Sequence, residues 1–506
     1  MSTIKYKIKE KNMILYRSTR GSENKKTGAQ AIISGIAEDK GLYVPEDIPK
    51  LPFTLEEGLN KTYQEVSQEI LHAFFSDYTR EEIMHCVDGA YDEKFEAEEI
   101  VPLAAAAGGY FLELYHGKTA AFKDMALSLL PYLLTTAMKK EGEKRKICIL
   151  VATSGDTGKA ALEGFADVPG TQIVVFYPDQ GVSLVQERQM LTQEGDNTHV
   201  FSIRGNFDDA QTGVKEIFND GDFAKELEKI NVKLSSANSI NIGRLVPQVA
   251  YYVYGYLKLV SRGIIKAGDE INVVVPTGNF GNILAAYYAS KMGIPVNKFI
   301  CASNKNRVLT DFIQTGDYDI RRDFYLTNSP SMDILISSNL ERLLFHLAQG
   351  DGKTIKALMK SLEEEKHYSL PNTIREGLKD FYGGFCSVEE TNETIGRVYN
   401  DEQYLMDTHT AVAYKVYEDY KKETGDARPT LIASTASPYK FADSVAKAIG
   451  LKDEDNEFSY IDSVREVTGM AVPKGLQGLK DKEILHDTVL DIEEMKTSVK
   501  DVLSPK

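Results

Sequence analysis

A lysine does covalent chemistry when its amine is neutral and held against an electrophilic carbon, and the stretch HGKTAAFKD, residues 116–124, presents a candidate in Lys123. It follows an apolar pair and opens a run containing Met125, Ala126, Leu129, Leu130, Leu133 and Leu134. This spacing predicts a helix from about Ala121 to Met138, buried on several sides. Burial strips water from an ammonium and lowers its pKa, leaving the amine free for Schiff-base formation. The plain alternative is a solvated surface charge, the usual state of a lysine near a helix start. Pro131 predicts a kink in this helix beyond Lys123.

Two loops have the form of anion cradles. TSGDTG (153–158) and TGNFGN (277–282) each follow an apolar β-branched run and precede a helical pattern. Helix starts expose unpaired N–H groups and a partial positive charge, and glycine lets the backbone approach a ligand closely. Neither loop has the three-glycine spacing of a dinucleotide site or the Gly-Lys-Ser/Thr of a P-loop. Each taken alone also reads as a tight strand-to-helix turn.

The elements around these loops repeat. KICILVA leads through TSGDTG to the helical KAALEGFA; TQIVVFY leads to LVQERQML, and THVFSIRG to a helix ending near Phe218. EINVVV leads through PTGNFGN to ILAAYYASKMG and then KFICASN; TLIAS leads through TASPYK to FADSVAKAIG. Near-continuous apolar strands alternating with helices define an α/β protein with parallel sheets flanked by helices. Ligands of such sheets bind beyond the carboxyl ends of the strands, where these loops lie.

A chain of 506 residues predicts two or three domains, and 42% hydrophobic with 26% charged residues fits a globular protein. The net charge of -16 argues against a nucleic-acid partner, since no basic patch offsets it. Cys86, Cys148, Cys301 and Cys386 show no paired ligand spacing and read as reduced thiols. No apolar run is long enough to span a bilayer, and MSTIKYKIKEKN is neither a signal nor a transit peptide, so a cytoplasmic setting is expected. His116 and His409 lack a second ligand at metal spacing, so no metal site is expected; a structural role is the simpler reading of both.

LYHGKTAAFKDMA, VATSGDTGKAA, SANSINIGR, VPTGNFGN and IASTASPYKF, in this order, resemble the signature segments of threonine synthase. ILYRSTRG, GLYVPEDIPKL and THTAVAYKVY resemble its long form, so the likeness runs from about Met13 to Gly450. The resemblance implies a pyridoxal-phosphate enzyme of fold type II, the tryptophan synthase β-like fold, with an added N-terminal domain. It implies pyridoxal 5'-phosphate as cofactor and Lys123 as the catalytic residue that carries it. Gly278, Asn279, Phe280, Gly281 and Asn282 would hold its phosphate, and Thr435 would meet its pyridine nitrogen.

Ser154, Gly155, Asp156 and Thr157 resemble the family's site for the substrate carboxylate, although many fold type II relatives have asparagine at the place of Asp156. Asn238, Ser239, Asn241 and Arg244 are the implied ligands of the substrate phosphate; the alternative is a polar loop capping the helix that follows. The family more often reads HGPT where this chain has HGKT, so Lys118 is an additional charge that either points to solvent or adds to anion binding.

The implied reaction converts O-phospho-L-homoserine and water to L-threonine and phosphate by β,γ-elimination and replacement, with Lys123 moving protons at several carbons. The expected division is 1–98 as N-terminal domain, 99–123 with 246–506 as large domain, and 124–245 as a small mobile domain that closes to exclude water. Other readings are a phospholyase or dehydratase of the same fold, or an inactive binding homologue. The residues do not distinguish a monomer from a homo-dimer.

Overall fold

A computed structural model describes residues 13–153, 155–179 and 182–504. The expectation for Ser154 and the first twelve residues lie outside it.

The alternation of apolar runs and helical patterns resolves into two main sheets. The larger has six strands in the order Phe381–Phe385, Val296–Ser303, Ile271–Pro276, Thr430–Ser434, Gly109–Glu113 and Leu103–Ala106. All neighbours are parallel except the last pair, which forms an antiparallel hairpin turned by Ala107 and Gly108. The smaller has five parallel strands ordered Val489–Leu490, Thr198–Ile203, Thr171–Pro178, Lys146–Ala152 and Val232–Ser235. Ile271–Pro276 is buried at every position, as a strand covered on both faces must be.

One expected assignment changes here. The stretch from 246 onward was placed with the larger sheet, but Val489 and Leu490 pair with Ser202 and Ile203 at the edge of the smaller one. Met495 and Val499, on the helix Met495–Leu503, are buried in the same apolar cluster as Val214 and Ile217. Apolar side chains spaced four apart buried a helix face that the acidic composition of the region concealed.

The N-terminal region is mostly helical, with one short antiparallel pair, Tyr16–Ser18 beside Tyr43–Pro45. Gly28–Ser34, Leu55–Gly58, Tyr63–Phe74 and Arg80–Ala90 each begin with a reciprocal capping box in which threonine caps and Gln or Glu answers three residues later. These helices share one continuous apolar core with Leu130–Glu141 and Pro247–Ser261. They therefore act as a buttress for the segment that follows Lys123.

The helix predicted over 121–138 is two pieces, Asp124–Leu127 and Leu130–Glu141. The break falls at Ser128 and Leu129, so Pro131 occupies the first turn of the second piece, where its missing N–H costs no hydrogen bond.

Candidate active site

Three site segments leave the carboxyl ends of three adjacent strands of the larger sheet. TGNFGN follows Ile271–Pro276, Thr435 follows Thr430–Ser434, and the loop to Lys123 follows Gly109–Glu113. TSGDTG and SANSINIGR follow Lys146–Ala152 and Val232–Ser235, neighbours in the smaller sheet. The site thus lies where the carboxyl edges of two parallel sheets meet.

Lys123 is buried. Its loop is pinned to the neighbouring strand end by Phe122 N–H to Thr435 O at 2.8 Å and Ser437 N–H to Ala120 O at 2.9 Å. Its Nζ donates to Ser331 Oγ at 3.2 Å and lies 3.8 Å from Asp156 Oδ2. Burial lowers the pKa of Lys123; Asp156 opposes this, and the positive charges of Arg244 and Lys440 add to the lowering. A buried amine with reduced proton affinity is what nucleophilic and general-base chemistry requires.

Asp156 opens the helix Asp156–Phe165 and is buried. Burial disfavours its charge, but Lys440 at 2.9 Å, Lys123 and the Gln186 amide at 2.8 Å more than offset this and hold it below the usual carboxylate range. Thr153 shapes the turn before it, its Oγ1 accepting from Gly155 and Gly158 N–H. Gly155 has φ 137, and a Cβ there would meet the Gln186 amide at 2.6 Å. Thr157 is half-buried.

The helix Gly281–Met292 starts at a left-handed residue, Phe280 (φ 64), and among the described residues no side chain caps it. Phe280 buries its ring against Phe381, so only its backbone is available to a ligand. Asn282 Oδ1 accepts from Tyr251 and Tyr252 at 2.7 and 2.5 Å, which leaves the buried Nδ2 without a partner among the described residues. A Cβ on Gly278 would lie 2.5 Å from Ser331 O, so only glycine fits there. An uncapped helix start, an orphaned amide donor and a close backbone pass together suit a phosphate dianion.

Arg244 is buried, donates to Ala237 O at 2.6 Å, and keeps an Nε without a partner among the described residues. Burial pulls its pKa to about 10, so it remains a cation at neutral pH. Asn238 and Ser239 are half-buried beside it. Asn241 departs from the expectation: its amide donates to Ile32 O at 3.0 Å and accepts from Gly243 N–H at 2.9 Å, a helix cap with its bonds already committed.

Several residues at the site lay outside the sequence reading. Ser331 touches Lys123, and its backbone N–H donates to His409 Nε2 at 3.2 Å while His409 Nδ1 bonds Asp407 at 2.7 Å. Asn339 bridges the SANSINIGR and TGNFGN loops, donating from Nδ2 to Ser239 O at 3.3 Å and Asn279 O at 3.0 Å. The wholly buried Arg342 donates to Asn339 Oδ1, Ile240 O and Tyr43 O. Lys440 was visible in TASPYK, and a charge inside an apolar turn was the only signal for it. His116 turns to Glu113 at 2.8 Å. Among the described residues no group of His, Cys, Asp or Glu could hold a metal ion, and no helix is long and apolar enough to cross a membrane.

The fold and site define a pyridoxal-phosphate-dependent enzyme of fold type II: a family model for "Pyridoxal-phosphate dependent enzyme" matches residues 101–435, and the cofactor is pyridoxal 5'-phosphate. Models for "Threonine synthase N terminus" and "Threonine synthase, C-terminal" match residues 15–91 and 410–500. The chain belongs to the threonine synthase family. It is 37% identical to threonine synthase of Saccharomyces cerevisiae over 86% of this chain and 89% of that one. The PLP-bound threonine synthase of Brucella melitensis has a TM-score of 0.85 at 34% identity, covering 97% of this chain and 100% of that one. Human threonine synthase-like 1 is 43% identical over 85% of this chain, which spans 59% of the length of that relative.

Proposed function

We propose that this protein converts O-phospho-L-homoserine and water to L-threonine and phosphate, with Lys123 as the catalytic, cofactor-bearing residue. The carrying observation is the buried Lys123 amine, 3.2 Å from Ser331 Oγ and 3.8 Å from Asp156, where loops from both sheets converge. Bound pyridoxal 5'-phosphate supplies an electron sink for negative charge developing at the substrate carbons.

The chain's own groups do the rest. Lys123 Nζ takes the Cα proton and exchanges protons at Cβ and Cγ, a task its lowered proton affinity favours. Ser331 and Asp156 hold the amine when it is not engaged. The start of Gly281–Met292, with Gly278, Asn279 and Asn282, is our assignment for the cofactor phosphate, and Thr435 for the pyridine nitrogen. Arg244 Nε, with Asn238 and Ser239, grips the substrate phosphate, and Gly155 to Thr157 meet its carboxylate. Residues 124–245 form the smaller unit whose closure excludes water, completed by the strand Val489–Leu490. A cytoplasmic setting is supported by four free, buried cysteines.

The test is a visible absorbance band on the purified protein, its trapping on Lys123 by borohydride, and release of phosphate and threonine from O-phosphohomoserine. Absence of the band sinks the cofactor assignment; a band without threonine sinks the substrate assignment. One relative at 43% identity is named threonine synthase-like rather than threonine synthase, so one second reading stands: a phospholyase of the same fold acting on another phosphorylated amino acid. Keto-acid release from O-phosphothreonine in place of threonine formation would select it.

A further inference from the structure

Lys440 lies in the turn Pro438–Phe441, five residues after Thr435, and its side chain is wholly buried. Its Nζ is 2.9 Å from Asp156 Oδ1 and donates to Gln189 Oε1 at 2.8 Å. Asp156 begins one helix beside the smaller sheet and Gln189 lies on another, Leu184–Leu191. From that second helix Gln186 also donates to Asp156 Oδ1, at 2.8 Å. Oδ1 is therefore held from two sides, and the second oxygen, Oδ2, is left facing Lys123 Nζ at 3.8 Å and Ser331 Oγ at 3.4 Å.

Burying an ammonium beside a second buried lysine is costly, and packing alone would be served as well by an apolar side chain. What an apolar residue could not do is fix the orientation of the Asp156 carboxylate.

We propose that Lys440 is a positioning residue for the reactive amine: it clamps Asp156 so that one carboxylate oxygen is turned to the nitrogen of residue 123 and sets that nitrogen's protonation. The inference rests on the reading of Lys123 as the cofactor-bearing residue. The charged groups facing this nitrogen are Asp156 and Asp124 as anions and Arg244 and Lys440 as cations. Ser331 is the neutral neighbour, tied through its backbone to the His409–Asp407 pair. Asp156 is the anion that reaches it, so its orientation governs the balance.

The experiment is a pH titration of the visible absorbance of the holoenzyme, which reports the nitrogen joining Lys123 to its cofactor. Lys440→Met is expected to move the midpoint by on the order of one pH unit, the effect typical of displacing a neighbouring charge. In an Asp156→Asn background the same substitution is expected to move it less than a third as far, because the clamped group is gone. Lys440→Arg, which keeps the charge, is expected to stay near the parental midpoint. Lys440→Gln, carried through both backgrounds, serves where Lys440→Met does not fold.

A parental midpoint in Lys440→Met or Lys440→Gln overturns the proposal. So does an equal shift with and without Asp156, which would mean that Lys440 acts on Lys123 by direct repulsion alone. If borohydride does not trap the parental band on Lys123, the reading of Lys123 as the cofactor-bearing residue has itself failed, an outcome distinct from either of these.

Discussion

Lys118 Nζ and Glu163 Oε1 lie 2.7 Å apart, joining the turn ahead of Lys123 to the helix that begins at Asp156. Glu163 also receives Lys159 at 3.1 Å. The extra charge in HGKT is therefore paired with a carboxylate of the protein itself; it ties the segment before Lys123 to a helix beside the smaller sheet. Burial disfavours the Glu163 carboxylate, but Lys159 and Lys118 hold it at about 2.

Lys118→Ala is expected to cost about 0.5–1 kcal/mol at neutral pH, since the lysine is half exposed and the pair is partly screened. A carboxylate with a depressed folded pKa contributes stability above its unfolded value, near 4.3, and loses it as pH falls toward 2. The difference in urea midpoint between parent and variant should accordingly shrink below pH 4.5. Inhibition by inorganic phosphate should be unchanged.

Asp124 behaves in the opposite sense. Burial raises its pKa to about 6, against the pull of two bonds from Thr119, its N–H at 2.8 Å and Oγ1 at 2.6 Å. A raised folded pKa means stability present below about 4 and lost as pH rises through 6, worth up to roughly 3 kcal/mol. The advantage of the parent over Asp124→Asn, read from urea midpoints by circular dichroism, should therefore decline between pH 4 and 6.5 and level off above it.

Gly278→Ala places a Cβ 2.5 Å from the Ser331 carbonyl, a backbone atom that cannot swing aside. Overpacking of this kind costs about 1–3 kcal/mol. Because Ser331 is also the partner of Lys123, the variant should lose cofactor absorbance on dialysis faster than the parent, alongside a lower melting temperature.

Asn339→Leu removes the bridge between the Ser239 and Asn279 carbonyls and strips a buried acceptor from Arg342. Leaving a buried guanidinium short of a partner costs about 2–3 kcal/mol. Saturation kinetics should show KM for the phosphorylated substrate rising at least tenfold, with a smaller change in kcat. An unchanged KM would mean that the two loops keep their spacing without Asn339.

The strands KICILVA and TLIAS and the lysine of AFKD were legible because each is a local pattern: an apolar β-branched run, or a charge set among leucines. Leu103–Ala106 and Phe381–Phe385 were not, since LAAA and FYGGF carry little strand propensity and are ordered only by the sheet they join. The same division runs through the site. Gly278 and Asn282 sit in a motif, whereas Ser331 and Asn339 lie in a long irregular segment whose positions only tertiary contacts determine. Asn241 was open to both readings because helix capping and ligand binding favour the same side chain, and its bonds serve the cap.

Val489 and Leu490 close the edge of the smaller sheet about 290 residues after the strand they cover. At ordinary synthesis rates that interval is roughly 15–60 s, during which the outer backbone of Ser202 and Ile203 has no neighbouring strand to satisfy it. The enzyme must therefore spend its nascent life with one sheet margin open to any passing strand. A chaperone that shields extended segments on the ribosome would change the yield of this protein more than its final stability.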